Sequence, residues 1–182
     1  MTNNLSIDIN AFLQKETTSS FLTCAQMFID LLEKKEINKD NFLNQAHGLL
    51  IDLYLKGHRL EQIDLKYSNE KTDLEKVDKE FYKKQNQRLI ELLGQDAFYR
   101  EVFDPINDKE EDEPVQGWLV DDFADIYYDL KTDLDKIIIG TDEAVEEALW
   151  NLKWSYLNHW GQHCVNALRA LHFLTYEGKL TM

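Results

Sequence analysis

The architecture of the chain is decided by residues 118–163, WLVDDFADIYYDLKTDLDKIIIGTDEAVEEALWNLKWSYLNHWGQH. Apolar residues recur there every three or four positions, in a stripe of Leu119, Phe123, Ile126, Leu130, Leu134 and Ile137. This spacing predicts an amphipathic helix from Trp118 to Ile139. Gly140 is typical of the position after a helix, and Thr141 is a typical N-cap for the next one. So short a connection predicts an antiparallel hairpin of two helices.

The second helix of this hairpin is too long to be straight. Its pattern continues from Asp142 to about Tyr176, which as one rod would measure about 50 Å. A compact chain of this size has a diameter of only roughly 40 Å. We therefore predict a bend or break, and we place it at Gly161, the only glycine within the pattern.

Three further segments upstream have the same helical period. They run from about Thr18 to Lys34, from Asn38 or Asp40 to Leu60, and from a capping box at 72–75 to Gly94. We find no sustained alternation of apolar and polar residues, which a half-buried strand would show. The sequence therefore predicts an all-α, single-domain bundle of five or six helices over residues 1–182, with the hairpin as helices four and five. We expect residues 1–16 to be poorly ordered.

One loop of distinct composition lies between Asp104 and Val115, where five acidic residues stand against one lysine. Such a charge run is typical of a solvated loop. A binding lid is the alternative interpretation.

Composition narrows the functional class. Glycine and proline make up only 9 of 182 residues, which argues against a many-stranded sandwich. Twenty basic and 34 acidic residues give a net charge of −14, which disfavours nucleic acids and anionic membrane surfaces as partners. No apolar stretch reaches the roughly 20 residues of a membrane span, and the N-terminus does not resemble a signal peptide. We interpret Cys24 and Cys164 as buried thiols, so we expect a cytoplasmic protein.

The helix before Gly140 is unusually rich in aspartate. Asp121, Asp125 and Asp129 are spaced four residues apart on one face, with Asp122 and Asp133 beside them. Aspartate is a poorer helix former than glutamate, and like charges at this spacing repel by roughly 0.2–0.5 kcal/mol per pair. We therefore expect these short carboxylates to do more than provide solubility.

Two histidines, His159 and His163, are four residues apart, a spacing found among metal ligands. Counting equal distances from the turn places Asp121, Asp122 and Asp125 level with residues 156–160 on the neighbouring helix. One interpretation is a hydrogen-bonded aspartate–histidine network. A second is a divalent metal site, of zinc, iron or manganese, formed by both histidines and one or two of these three aspartates. In a third, the groups do not meet.

Three other side chains complete the candidate site. We interpret Arg169 as part of a half-buried ion pair, with an anion clamp as the alternative. His172 lies near it among apolar residues, and Trp160 is interpreted as a core aromatic, with a ligand-stacking role as the alternative. The full candidate cluster comprises Asp121, Asp122, Asp125, Asp129, His159, Trp160, His163, Arg169 and His172.

Three stretches carry a family resemblance: DDFADIYYDLK at 121–131, HWGQH at 159–163 and ALRALH at 167–172. They resemble the signature of a bacterial family catalogued as domain of unknown function 5063, and the turn at 102–105 is similar too. The resemblance covers roughly residues 21–172. This chain departs from it at Phe123 and Tyr128, where leucine and arginine are usual. If Tyr128 replaces a basic partner of the aspartate face, we expect the ion pairs of that face to differ here. The resemblance implies a bacterial, cytoplasmic, all-helical protein and no particular activity.

Two functions follow as hypotheses. The leading one is a non-enzymatic cytoplasmic helical interaction module without a cofactor. It has a partly buried polar cluster of aspartate, histidine and arginine, and its acidic outer face docks a basic protein partner. The alternative is a divalent-metal-dependent hydrolase that uses the aspartate face and the two histidines. The direction of the aspartates separates them, because a metal-dependent enzyme requires Asp121 to Asp129 to face inward.

Overall fold

The computed structural model describes residues 5–68, 79–102 and 113–176. Within these ranges the chain forms seven α-helices and two short strands, so the predicted number of five or six helices is too low. The elements are α1 (Ile7–Gln14), α2 (Glu16–Glu33), α3 (Lys39–Arg59), α4 (Lys79–Leu93), β1 (Phe98–Glu101), β2 (Val115–Trp118), α5 (Leu119–Ile139), α6 (Asp142–Asn158) and α7 (Trp160–Tyr176). A 3₁₀ turn at Gly94–Ala97 joins α4 to β1.

The N-terminal segment differs from our expectation. Residues 7–14 form helix α1, where we expected poor order. Ile9 and Phe12 are buried against Val145 and Leu149 of α6, which anchors this helix to the hairpin. Eight residues contain too few helical turns for the apolar period to be recognised in the sequence.

A two-stranded antiparallel sheet corrects the all-α prediction. Strands β1 and β2 pair from Phe98 opposite Trp118 to Glu101 opposite Val115, and the first pair stacks its rings 6.3 Å apart. Strands of four residues are too short to show a clear alternation of apolar and polar residues, so the sequence did not reveal them. Most of the predicted acidic loop, and the capping box at 72–75, lie outside the described residues.

The α5–α6 hairpin is confirmed. Gly140 ends α5 in the left-handed conformation with φ of 71°, and the side chain of Thr141 caps α6 by accepting from the backbone N–H of Ala144. From one side-chain contact to the next, residue numbers fall along α5 while they rise along α6, as expected of antiparallel helices. Lys136 contacts Glu147 near the turn, and Asp133 contacts Asn151 further along.

The predicted break exists, but it lies at His159 and not at Gly161. Helix α6 ends at Asn158, His159 has non-helical angles of φ −147° and ψ −87°, and α7 begins at Trp160. Gly161 is a buried residue of α7, and a Cβ there would overlap the backbone carbonyl oxygen of Tyr156. This glycine therefore allows the two helices to meet closely at the break.

The core holds α5 and α7 in place from the inside. Phe123 of α5 is fully buried and packs against Phe28 and Phe42.

Both cysteines are buried free thiols, as the sequence predicted. None of the helices described here combines the length and the apolar character that crossing a bilayer requires.

Candidate functional site

Helix α5 directs three of its six aspartates towards the break between α6 and α7. Asp122 is only 3% exposed, and Asp125 and Asp129 are partly buried on the same side of the helix. Asp121 is exposed at the first turn. Positions three, four and seven residues apart share one helical face, so the three inward carboxylates form a continuous row.

His163 of α7 lies between two of these carboxylates. Its Nδ1 is 2.9 Å from Oδ1 of Asp122, and its Nε2 is 3.3 Å from Oδ2 of Asp125. The hydrogen bond to Asp122 raises the pKa of His163, against the opposing effect of burial. The second oxygen of Asp122 accepts a hydrogen bond from the hydroxyl of Tyr99, at 2.6 Å.

His159, at the break itself, is held in the same way. Its Nδ1 is 2.8 Å from Oδ2 of Asp129, and its side chain is 46% exposed to solvent. The ring centroids of His159 and His163 are 5.0 Å apart. Because the helix is broken at His159, this pair is brought together by the turn between α6 and α7 and not by one continuous helix.

Three potential metal ligands converge at this point. One donor atom each from Asp125, His159 and His163 lies within 4.8 Å of the other two. Since carboxylates bind Nδ1 of both histidines, Nε2 is the nitrogen that each can offer to a ligand, as is usual for metal-bound histidines. Two ligands about 2.1 Å from a tetrahedral ion lie about 3.4 Å apart. The Asp125–His163 separation of 3.3 Å fits that geometry.

The electrostatics of Asp125 also suit a cation. Partial burial raises the pKa of its carboxyl group, His163 opposes this rise, and Asp121 adds to it. A carboxylate that is destabilised by burial and by neighbouring negative charges is stabilised by a positive ion placed beside it.

The remaining candidate residues lie apart from this cluster. The indole of Trp160 is fully buried, stacks on Phe21, and donates to the carbonyl of Leu152. Arg169 forms an ion pair with the buried Glu101 at 2.9 Å. His172 is exposed on α7, and its ring lies beside those of His47 and Tyr176.

Sequence reasoning did not identify Tyr99 as part of the site. Its ring covers Gly117 of the paired strand, where a Cβ would overlap the ring. Tyr99 and Asp122 are 23 residues apart in the chain, and no local pattern links them. The strand pairing brings them together, so a recognisable β-hairpin would have been the signal.

Cavities lie close to the break between α6 and α7, and one of them is lined by Tyr156, Gly161 and Gln162. Two of them, of about 850 and 530 Å³, both have Arg169 and Glu101 in their linings. Neither is lined by His159 or His163. A smaller cavity of about 180 Å³ is bordered by Asp129 and by Trp154 of α6. His159 is about half exposed and His163 is partly buried, so the cluster lies at the surface and not inside a cavity described here.

Comparison with known proteins supplies a family and a fold. The family model described as Domain of unknown function (DUF5063) matches residues 13–177. The crystal structure of protein BF1032 from Bacteroides fragilis, a target of the Northeast Structural Genomics Consortium, is similar with a TM-score of 0.76 and 24% identity. The match covers 91% of this chain and 96% of that one, and it concerns the fold alone. No curated protein matches. Because the family model spans most of its length, the chain belongs to the family described as Domain of unknown function (DUF5063).

Proposed function

We propose that the protein binds one divalent transition metal ion through Asp125, His159 and His163, and uses it to activate water for hydrolysis. One observation carries this proposal. Two histidines, each held at Nδ1 by its own aspartate, converge with the carboxylate of Asp125 within 4.8 Å. In metalloproteins, such carboxylate–histidine pairs orient the imidazole and make it a better ligand.

The number of ligands favours catalysis over a purely structural role. Structural zinc sites use four protein ligands, whereas catalytic sites use three and keep a position for water or substrate. His159 is half exposed, so solvent reaches this position. Mixed nitrogen and oxygen ligands suit zinc, iron or manganese. Such an ion lowers the pKa of bound water to about 7, which yields a hydroxide nucleophile near neutral pH.

The direction of the aspartates favours this function over the interaction module. Asp122, Asp125 and Asp129 contact histidines of the α6–α7 break, and of the four aspartates from Asp121 to Asp129 only Asp121 is exposed. The non-enzymatic module remains the second candidate. It is favoured by the absence of His159 and His163 from the linings of the two large cavities described above.

The first test is metal content. Protein purified without a His-tag or chelator is analysed by elemental mass spectrometry, and its affinity is measured by competition with a chelator. We expect about one ion per chain, and affinity at least about 100-fold lower in His163→Ala and in Asp125→Asn. His172→Ala is the matched control, since it removes a histidine of the same helix away from the cluster.

We expect Asp125→Asn to fold as the wild type does, because the side chain of Asp125 is partly exposed and asparagine has the same shape. Loss of metal by this variant therefore reports on the ligand and not on misfolding. The proposal fails if added zinc, iron(II) and manganese(II) all fail to bind, or if both variants bind as wild type does. Metal that binds without hydrolysis in a broad substrate screen would refute the catalytic part alone.

A further inference from the structure

We infer that this metal centre selects substrates that carry a positively charged amine, and that it does not act on phosphate esters. The inference rests on the proposed function and adds its substrate class.

The first support is the charge that surrounds the ligand position. Asp122 and Asp129 hold the two histidines, Asp125 is itself a ligand, and Asp121 lies one helical turn before Asp125. Four carboxylates outweigh the two positive charges of a divalent ion. The occupied centre therefore remains negative, which opposes the approach of a phosphate dianion.

The second support is that the three helices around the cluster offer no unpaired lysine or arginine to a phosphate. Apart from histidines, helices α5, α6 and α7 contain four basic side chains, and each already has a hydrogen-bond or ion-pair partner. The pairs are Lys131 with Asp135, Lys136 with Glu147, Lys153 with the carbonyls of Gly57 and His58, and Arg169 with Glu101. Phosphoryl-transfer sites use arginine or lysine to neutralise charge that develops on the phosphate.

The third support is the position of Asp121. It is exposed, and it makes no hydrogen bond or ion pair with the residues that the structure describes. Residues one turn apart have Cβ atoms about 5–6 Å from each other. A substrate bound at the metal can therefore place an ammonium group beside Asp121. The net charge of −14 also attracts cations to the molecule at long range.

The test uses protein loaded with Co²⁺, whose visible spectrum reports on ligands at the metal. Three probes are titrated near neutral pH: L-alaninamide, which is cationic, N-acetyl-L-alaninamide, which is neutral, and inorganic phosphate. We expect L-alaninamide to perturb the spectrum at concentrations at least about tenfold lower than phosphate. Asp121→Asn should weaken L-alaninamide binding at least about threefold and leave the acetylated probe unchanged.

Glu143→Gln is the control, because it removes one exposed negative charge from the first turn of α6, at the other end of the hairpin. The inference is overturned if phosphate binds as tightly as L-alaninamide, if L-alaninamide has no effect on the spectrum, or if Asp121→Asn and Glu143→Gln act alike. Failure of Co²⁺ to bind at all is a separate result: it refutes the proposed function, and the substrate inference with it.

Discussion

At the scale of single residues, a chain of three hydrogen-bonding groups orients the candidate ligand His163. Tyr99 donates to Asp122, and Asp122 holds Nδ1 of His163. Asp122 is almost fully buried, so the loss of one of its two partners leaves a buried carboxylate oxygen without a hydrogen-bond donor. Tyr99 is therefore a positioning residue for the proposed metal site, on which it acts through Asp122 and His163.

We predict that Tyr99→Phe weakens metal binding by up to about tenfold, because the hydroxyl supports Asp122 and not the histidine itself, whose own outer partner is worth about 10–100-fold. Chelator competition measures this change. Tyr176→Phe is the control, because Tyr176 is an exposed tyrosine away from the cluster. An unchanged affinity in Tyr99→Phe would show that the hydroxyl does not support the ligand.

A second prediction at this scale concerns Gly161, next to the break. Gly161→Ala should destabilise the protein by about 1–3 kcal/mol, because the new methyl group overlaps the carbonyl oxygen of Tyr156. The matched control is Gly48→Ala in α3, where nothing lies within 4 Å of the new atom. Alanine there should stabilise by about 1 kcal/mol through helix propensity. Urea unfolding of both variants gives the comparison, and equal effects would contradict the proposed close contact.

At the scale of elements, the contact between α5 and α6 contains a buried charged group. Asp133 and Lys136 are both nearly inaccessible, and Lys136 also contacts Glu147. Burial raises the pKa of Asp133 to about 7, although Lys136 and the amide of Asn151 act in the opposite direction. The hairpin interface is therefore sensitive to pH.

The sign of this effect follows from proton uptake. Between the unfolded pKa of 3.8 and the folded value of about 7, the folded chain binds more protons at Asp133 than the unfolded chain does. Its contribution to stability is thus complete at low pH and is lost as the pH rises through 7. We predict that the unfolding free energy of the wild type falls by up to about 1.4 kcal/mol per pH unit because of Asp133, and that Asp133→Asn removes this fall. Unfolding free energies of the two proteins, measured from about pH 4 to 8, give the comparison. Parallel curves would contradict the prediction.

The β-hairpin positions two groups of the candidate site, Tyr99 on β1 and the start of α5 after β2. Strand β1 carries Tyr99 to Asp122, and β2 runs directly into α5, which carries the aspartates. Gly117 provides the space for the ring of Tyr99. A short sheet that contributes little to the core therefore positions part of the candidate metal site.

At the scale of the whole molecule, the excess of negative charge opposes the compact state. A net charge of −14 on 182 residues produces self-repulsion that salt screens. We predict that raising sodium chloride from low to physiological concentration increases the Tm by about 2–4 °C, which for a chain of this size corresponds to about 1 kcal/mol. Thermal unfolding followed by circular dichroism measures it. A lower Tm would mean that ion pairs such as Lys39–Asp96 outweigh the repulsion.

The sequence by itself determined the amphipathic helices, the α5–α6 hairpin at Gly140 and the approximate level at which aspartates and histidines lie. These features depend on local periodicity and on the constant rise of a helix, both of which can be counted along the chain. The break also followed from length alone, although its position at His159 did not.

Only the tertiary structure decided which carboxylate meets which histidine. The rotation of α5 about its axis depends on how Phe123 packs against α2 and α3, and the approach of His159 depends on the close contact at Gly161. The joining of Tyr99 to Asp122 depends on pairing between strands too short to be recognised. These are contacts between residues distant in the chain, and their geometry arises from packing the whole core at once.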